Sequence, residues 1–302
     1  MRLKRTAVAI APILTFPMAS FPMSKFPIPR FYVGPFWPPP ITAYDYVLAL
    51  CPSDLAWEFL RRNPHYQRAY RLSRRGSHRP RRLRGGHLIT RIRRRTLRSV
   101  AWGLHPFVDP TLPAPEASLC WLTSATAPVL EAVCDRLARG IPSDLSLADL
   151  KSARSVSIGP GREEHVLLGD SDRALTLCLQ GSRLSLGPVG TTFLLRGIPE
   201  PAKLAADFGA LNALLHWPRS RVHRSRDRLL LRDALVALDG RRASANHREV
   251  AELIFGMERV REAWSGRGGW LKERMRRALA TGEKLRDGGY RIALEGSCRF
   301  SR

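Results

Sequence analysis

Between positions 61 and 98 the sequence has no aspartate and no glutamate, against 15 arginines. A stretch so one-sided cannot neutralise itself and must face solvent or an outside anion. Cysteine is sparse as well: Cys51, Cys120, Cys134, Cys178 and Cys298 are odd in number and far apart. They form no C-x-x-C and no Cys/His cluster at zinc-finger spacing, so they read as reduced thiols of a cytoplasmic protein, with no metal site and no cofactor expected. The apolar run in "MRLKRTAVAIAPIL" is too short to span a bilayer, which leaves no membrane partner. "GPGREE" lacks the Lys-Ser/Thr step of a phosphate loop, and no nucleophile elbow is present.

What is there is positive charge on an otherwise ordinary globular composition. The 302 residues are 44% hydrophobic and 8% aromatic, yet carry 50 basic against 26 acidic side chains, a net charge of +24 and a pI near 11.3. The excess is uneven: 61–98 holds +15 and 219–302 holds +10, while 99–218 between them is slightly acidic at −3. Two basic blocks flanking a near-neutral middle point to a polyanionic partner.

Residues 1–40 have a charged start and a short apolar run like a secretory signal, broken by Pro12, Pro17 and Pro22. A disordered Pro-rich leader is expected, with Met18 or Met23 as alternative starts. From Ile41, "AYDYVLAL" reads as a short helix, Ser53 as the cap of "DLAWEFLRRN", and Asn63-Pro64 as its end, with Tyr66 and Tyr70 one turn apart on a third segment. This 41–70 module is too small to bury much core alone. Residues 71–100 have the composition of a linker that binds phosphate without choosing sequence.

In the 101–217 region the period switches to two: "VSI", "HVLLG", "ALTLCLQ", "RLSL" and "TFLLRG" alternate between turn clusters. An antiparallel meander with one buried face is expected, covered by a helix presenting Leu204, Phe208, Leu211 and Leu215. Within it, Glu163, Glu164, His165 and Asp170 suggest a nuclease cluster, but they adjoin a Gly-rich turn without a supporting second group and read as solvated turn residues.

The last segment, 218–302, is helical. "RDRLLLRDALVALDG" should stop at Gly240, Asn246 and Glu249 form a capping box for "HREVAELIF", and Gly256 ends that helix. On a helical wheel of 270–285, Leu271, Met275, Ala278, Leu279, Gly282 and Leu285 fall in one arc of about 120° that should pack inward. Arg274, Arg277, Thr281 and Lys284 make a neighbouring outward stripe, with Lys272 and Arg276 on the other flank. Arg248 on the preceding helix and Arg267 in the connection complete the candidate DNA-binding set. An apolar side anchored on earlier helices and a cationic side free for a major groove is the arrangement of a helix-turn-helix, although Gly256 to Trp270 is longer than the usual turn and should hold an extra helical turn in "MERVREAW".

"DLAWEFLRRNPHY", "WGLHPFVDPTLPAPEASLCW", "RDALVALDGRRASANHREVAELIFG", "REAW" and "LKERMRRALATGEKLRDGGYRIAL" together resemble the proteobacterial RovC-like family, atypical transcription factors, some linked to type VI secretion. The resemblance covers 41–70 and 101–295, and departs in the leader and in 71–98. It implies DNA binding by the last domain and assembly into homo-oligomers. The sequence thus reads as an α+β protein: a helical N-terminal module, a small antiparallel β meander and a helix-turn-helix-like domain that reads double-stranded DNA. An RNA-binding or scaffold protein using Trp57, Tyr66 and Tyr70 as exposed stacking platforms is the alternative.

Overall fold

The computed structural model describes residues 33–73, 80–83, 86–92, 97–122, 129–136, 145–195, 197, 200–216, 225–264 and 269–294. The α+β reading holds: among the described residues, helices precede and follow the strands of one seven-stranded sheet. A 3₁₀ segment, Ile41–Ala49, leads into α1 (Pro52–Leu60) and α2 (Pro64–Leu72). Helix α1 starts one residue before the expected cap. Pro52 occupies the first helical position, where its fixed φ is already helical and its missing N–H costs nothing, so Ser53 lies inside the first turn. Helix α1 ends at Leu60 with Arg61 as its cap, and Asn63 opens α2, its side-chain oxygen accepting from the His65 and Tyr66 amides at 2.8 and 3.1 Å.

The Arg-rich stretch that reads as a linker contributes two strands, β1 (Arg81–Arg82) and β2 (Leu88–Arg91), before the short α3 (Leu97–Val100). Strand β3 (Val129–Asp135) follows, then β4 (Ala153–Ile158), β5 (Glu164–Gly169), β6 (Ala174–Gly181) and β7 (Gly190–Leu194). The expected meander is β4–β5–β6, the centre of a larger sheet ordered β1-β2-β4-β5-β6-β3-β7. β2 joins β4, and β3 joins β6, in parallel; the other pairs are antiparallel. "RLSL" is not a strand, because Leu184–Leu186 forms a 3₁₀ turn whose end is closed at Gly187.

Alternation divides the sheet into two unlike faces. Val156, Val166, Leu177 and Leu130 stand side by side across four strands, and with Leu168, Leu175 and Leu179 they make an apolar core. Helix α4 (Pro201–His216) covers it with Leu211 and Leu214, and Phe208 meets Phe193 edge-on at 5.2 Å. On the opposite face the corresponding row is polar: Thr90, Ser157, His165, Cys178 and Glu131. That face lies against the N-terminal module and the 101–122 segment, where Ser155 Oγ donates to the Leu119 carbonyl and Gly169 leaves room for Cys51.

The C-terminal helices are α5 (Arg226–Arg242), α6 (His247–Phe255), α7 (Met257–Trp264), α8 (Trp270–Lys284) and, past a π-type turn at Leu285–Gly289, α9 (Tyr290–Leu294). Helix α5 does not stop at Gly240 but runs two residues further. The glycine serves close approach instead, since a Cβ there would lie 2.7 Å from Val250 and 2.9 Å from Trp37. Residues 33–40, the end of the expected leader, therefore rest on α5; the leader's earlier part, 1–32, lies outside the described residues. Gly282 allows α8 onto α5 in the same way, with the Ala234 carbonyl oxygen only 2.8 Å from where its Cβ would be.

Helix α1 explains why the N-terminal module cannot stand alone. All its residues, and Arg61 to Asn63 after it, are buried. Asp54 accepts from Arg154 Nε of β4 at 2.9 Å on one side. On another, Arg62 reaches Asp239 of α5 through two bonds of 2.9 and 2.8 Å, and α1 packs along α9. Glu58 holds both arginines, at 2.7 Å to Arg61 and 2.6 Å to Arg62, and accepts from the Ala114 amide. Burial raises the Glu58 pKa, but the two guanidiniums outweigh it and hold the carboxyl down at about 2.

Candidate nucleic-acid interface

Helix α8 is placed by its apolar arc. Leu271, Met275, Ala278, Leu279, Gly282 and Leu285 are all buried, as the wheel predicts, and face α5, α6 and α7. Helix α6 opens with the expected capping box: Asn246 accepts from the Arg248 and Glu249 amides, and Glu249 accepts from the Asn246 amide at 2.8 Å. Gly256, at φ 87°, ends it, and "MERVREAW" forms the whole of α7 with Val260 as its buried anchor. The corner between α6 and α7 is thus one glycine, and the longer connection lies between α7 and α8.

The outward residues of α8 divide into groups with different work. Arg274 is half-buried: it donates to the buried Asp233 of α5 at 2.9 Å and lies 4.9 Å from the centre of the Phe255 ring. It ties three helices together. Arg277 is open, with 76% of its side chain exposed, and donates to Glu273 at 2.7 Å, while Arg276 makes two bonds to the same carboxylate at 2.9 and 3.0 Å. Those bonds hold the Glu273 carboxyl at about 2, so both arginines meet a full negative charge in the free protein. An exposed pair of this kind is screened by solvent and weak, so the arginines can exchange it for a phosphate or a base edge. Lys284 is exposed and has no ion-pair partner among the described residues; Thr281 is half-buried. Lys272 is exposed beside the Trp264 ring, 5.6 Å from its centre. Arg248 is exposed on α6 and paired with Glu252 at 3.0 Å. Arg267 lies outside the described residues.

Two cations missed at the sequence level belong beside these. Arg259 and Arg261 are exposed on α7, either side of the buried Val260. The signal was present in "ERVRE", an apolar residue between two arginines on an amphipathic turn. At the far end of the sheet, Arg91, Arg162 and Arg183 wall a cleft of about 480 Å³, so the basic stretch presents at least one cation next to the middle region's own.

The other candidate chemistries dissolve in the fold. Trp57, Tyr66 and Tyr70 are buried, with Trp57 and Tyr66 edge-on at 5.5 Å and the Tyr66 hydroxyl donating to the Val108 carbonyl at 2.7 Å; none offers a stacking platform. Glu164, His165 and Asp170 are buried rather than solvated. Strand pairing takes the first two into the sheet: Glu164 accepts from Ser185, and Asp170 accepts from the amides of Asp172 and Arg173 in the following turn. Because Glu164 and His165 are consecutive on a strand, they serve opposite faces and cannot share a metal or a substrate.

Residues 205–294 match the family model described as "T6SS, Transcription factor, DNA binding domain", which spans most of α4 and all of α5–α9. Residues 40–105 match a second model, "Proteobacterial transcriptional regulator-like domain". No curated protein matches the chain.

Proposed function

Starting from a chain that carries a type VI secretion transcription-factor DNA-binding domain and a proteobacterial regulator-like domain, we propose that it regulates transcription by seating the exposed face of α8 in the major groove of duplex DNA. The observation that supports this reading most is the complete burial of the apolar arc of α8 together with the exposure of Lys272, Arg276, Arg277 and Lys284. A helix held rigidly along one side and cationic along the other can enter a groove without rearranging its support. Arg277 is the guanine-reading side chain, Lys284, Arg276 and Lys272 contact phosphates, and Arg248, Arg259 and Arg261 extend the phosphate track along α6 and α7. Arg274 serves chiefly as a brace. In this reading α6 and α7, joined at the Gly256 corner, serve as the supporting helices of a helix-turn-helix variant in which α8 is the reader. A cytoplasmic, chromosome-associated homo-oligomer without catalytic activity fits this reading, and the exposed Met257 at the start of α7 and Trp270 at the start of α8 supply apolar surface for assembly. Among the described residues no helix is long and apolar enough to cross a membrane.

The test is Arg277→Ala in the full chain, titrated on preferred and scrambled duplexes at one salt concentration. Loss of a bidentate base contact should cost about 1–3 kcal/mol on the preferred site and almost nothing on the scrambled one. Equal losses on both demote Arg277 to a phosphate contact, and no loss on either removes this face of α8 from the interface.

A further inference from the structure

Three residues far apart in sequence, His105, Cys120 and His165, meet beneath the polar face of the sheet. A two-residue bridge between Leu104 and Trp121 sets the first two opposite each other, the His105 amide donating to the Cys120 carbonyl at 2.9 Å. His165 comes from β5, in the middle of the sheet, and its ring centre lies 4.9 Å from that of His105 with the planes tilted by 37°. One donor atom from each residue lies within 4.8 Å of the other two, and all three side chains are buried.

We propose that these residues form a structural metal site that takes zinc. Two imidazoles and a thiolate are a borderline-soft donor set, which favours zinc-type ions and is a poor match for magnesium or calcium. Tetrahedral zinc, with bonds of about 2.3 Å to sulfur and about 2.0–2.1 Å to nitrogen, spaces such ligands roughly 3.3–3.6 Å apart, so the donors need close by only about 1 Å, within reach of side-chain rotation. A second observation points to the same place. Ser157, beside His165 in the β4–β5 register, and Thr90, beside Ser157, are buried with hydroxyls that lack a hydrogen-bond partner among the described residues. Ser157, one strand from His165, gives the site a polar atom able to hold a fourth, water ligand or to orient the histidine, and Thr90 continues the polar row one strand further. On binding, the Cys120 thiol gives up its proton to solvent and its sulfur lone pair to the metal, leaving a site of charge +1.

Such a site clasps the 101–122 segment to the centre of the sheet. That segment also carries the carbonyls of Trp102 and Val108, which accept from Tyr290 of α9 and Tyr66 of α2, so the clasp would stiffen the floor on which the DNA-binding helices rest. The full chain, purified without chelator from zinc-supplemented cells, should carry about one zinc per chain, and a strong chelator should lower its melting temperature. Cobalt added to the stripped protein should give tetrahedral visible bands and a thiolate-to-cobalt charge-transfer band. Cys120→Ser should abolish that band, while Cys134→Ser, on the opposite face, should keep it. The wild-type cobalt spectrum decides the matter even if a variant fails to fold: absence of the thiolate band, or zinc retained undiminished by Cys120→Ser, overturns the proposal.

Discussion

Replacing Asp239 with asparagine should be among the most damaging single changes in this protein. The carboxylate accepts two bonds from Arg62, at 2.9 and 2.8 Å, and one from the Tyr44 hydroxyl at 2.9 Å. Its side chain is 4% exposed and that of Arg62 3%, and Gly34, at φ 95°, brings the chain within 2.5 Å of Oδ2 measured from where a Cβ would be. With Glu58 and Arg61 the cluster holds two charges of each sign, so it is neutral as built. Asparagine leaves one buried positive charge uncompensated and turns one acceptor toward Arg62 or Tyr44 into a donor. Breaking one partner out of a buried pair costs about 3–5 kcal/mol. For a protein of this size that corresponds to a fall in melting temperature on the order of 10 °C. Urea unfolding followed in parallel by tryptophan fluorescence and far-UV circular dichroism measures the loss and shows whether the two transitions coincide. The double change Arg62→Met with Asp239→Leu keeps the charge balanced, since Glu58 and Arg61 still neutralise each other, and should cost less than Asp239→Asn alone. A single-variant loss under about 1 kcal/mol, or a double variant worse than the single, refutes the charge-balance reasoning.

Glu58 sets the acid limit of the same cluster. Its folded pKa of about 2 lies below the ordinary 4.5, so its contribution is complete above pH 4.5 and disappears as pH falls toward 2; Glu58→Gln should flatten that part of the stability profile, measured by melting at stepped pH. Gly282→Ala would stabilise a free helix by about 1 kcal/mol, but here its Cβ meets the Ala234 carbonyl, so a net loss of about 1–3 kcal/mol is expected in urea unfolding. Arg274→Ala should destabilise by roughly 1–3 kcal/mol because, among the described residues, the buried Asp233 then keeps only Arg232, at 3.1 Å, and it should weaken binding to preferred and scrambled duplexes alike, in contrast to Arg277→Ala.

Legibility in the sequence followed the range of the forces involved. The apolar arc of α8, the capping box at Asn246 and the proline break at Asn63-Pro64 are decided within one or two turns, and each stands in the fold where the pattern puts it. The meander was readable for the same reason: alternation and tight turns are local. β2 was not, because "LITR" is four residues among arginines and becomes a strand only by lying parallel to β4. Nor was β3, whose neighbours β6 and β7 come later in the chain. At the interface the wheel gave the direction of each cation but not its company. Arg274 and Arg277 share a stripe, yet only the folded partner Asp233, 41 residues upstream of Arg274, turns one of them into a brace. His105, Cys120 and His165 show no metal spacing because three separate strands and loops deliver them.

The burial of α1 on every side has a consequence for how the chain is made. Arg62 must wait for Asp239, 177 positions later, and at ordinary ribosomal rates that residue is synthesised roughly 10–35 s afterwards. During that interval Leu55, Trp57, Phe59 and Leu60 have no C-terminal helices to cover them, and the Glu58 cluster is short of one acid. The sheet can close in the meantime, because its strands lie between the two halves of the helical body, and it shortens the loop the ends must still cross. A nascent chain of this design is exposed longest at the helix it needs most, and its yield in the cell should depend more on elongation rate and chaperone capture than its final stability would suggest.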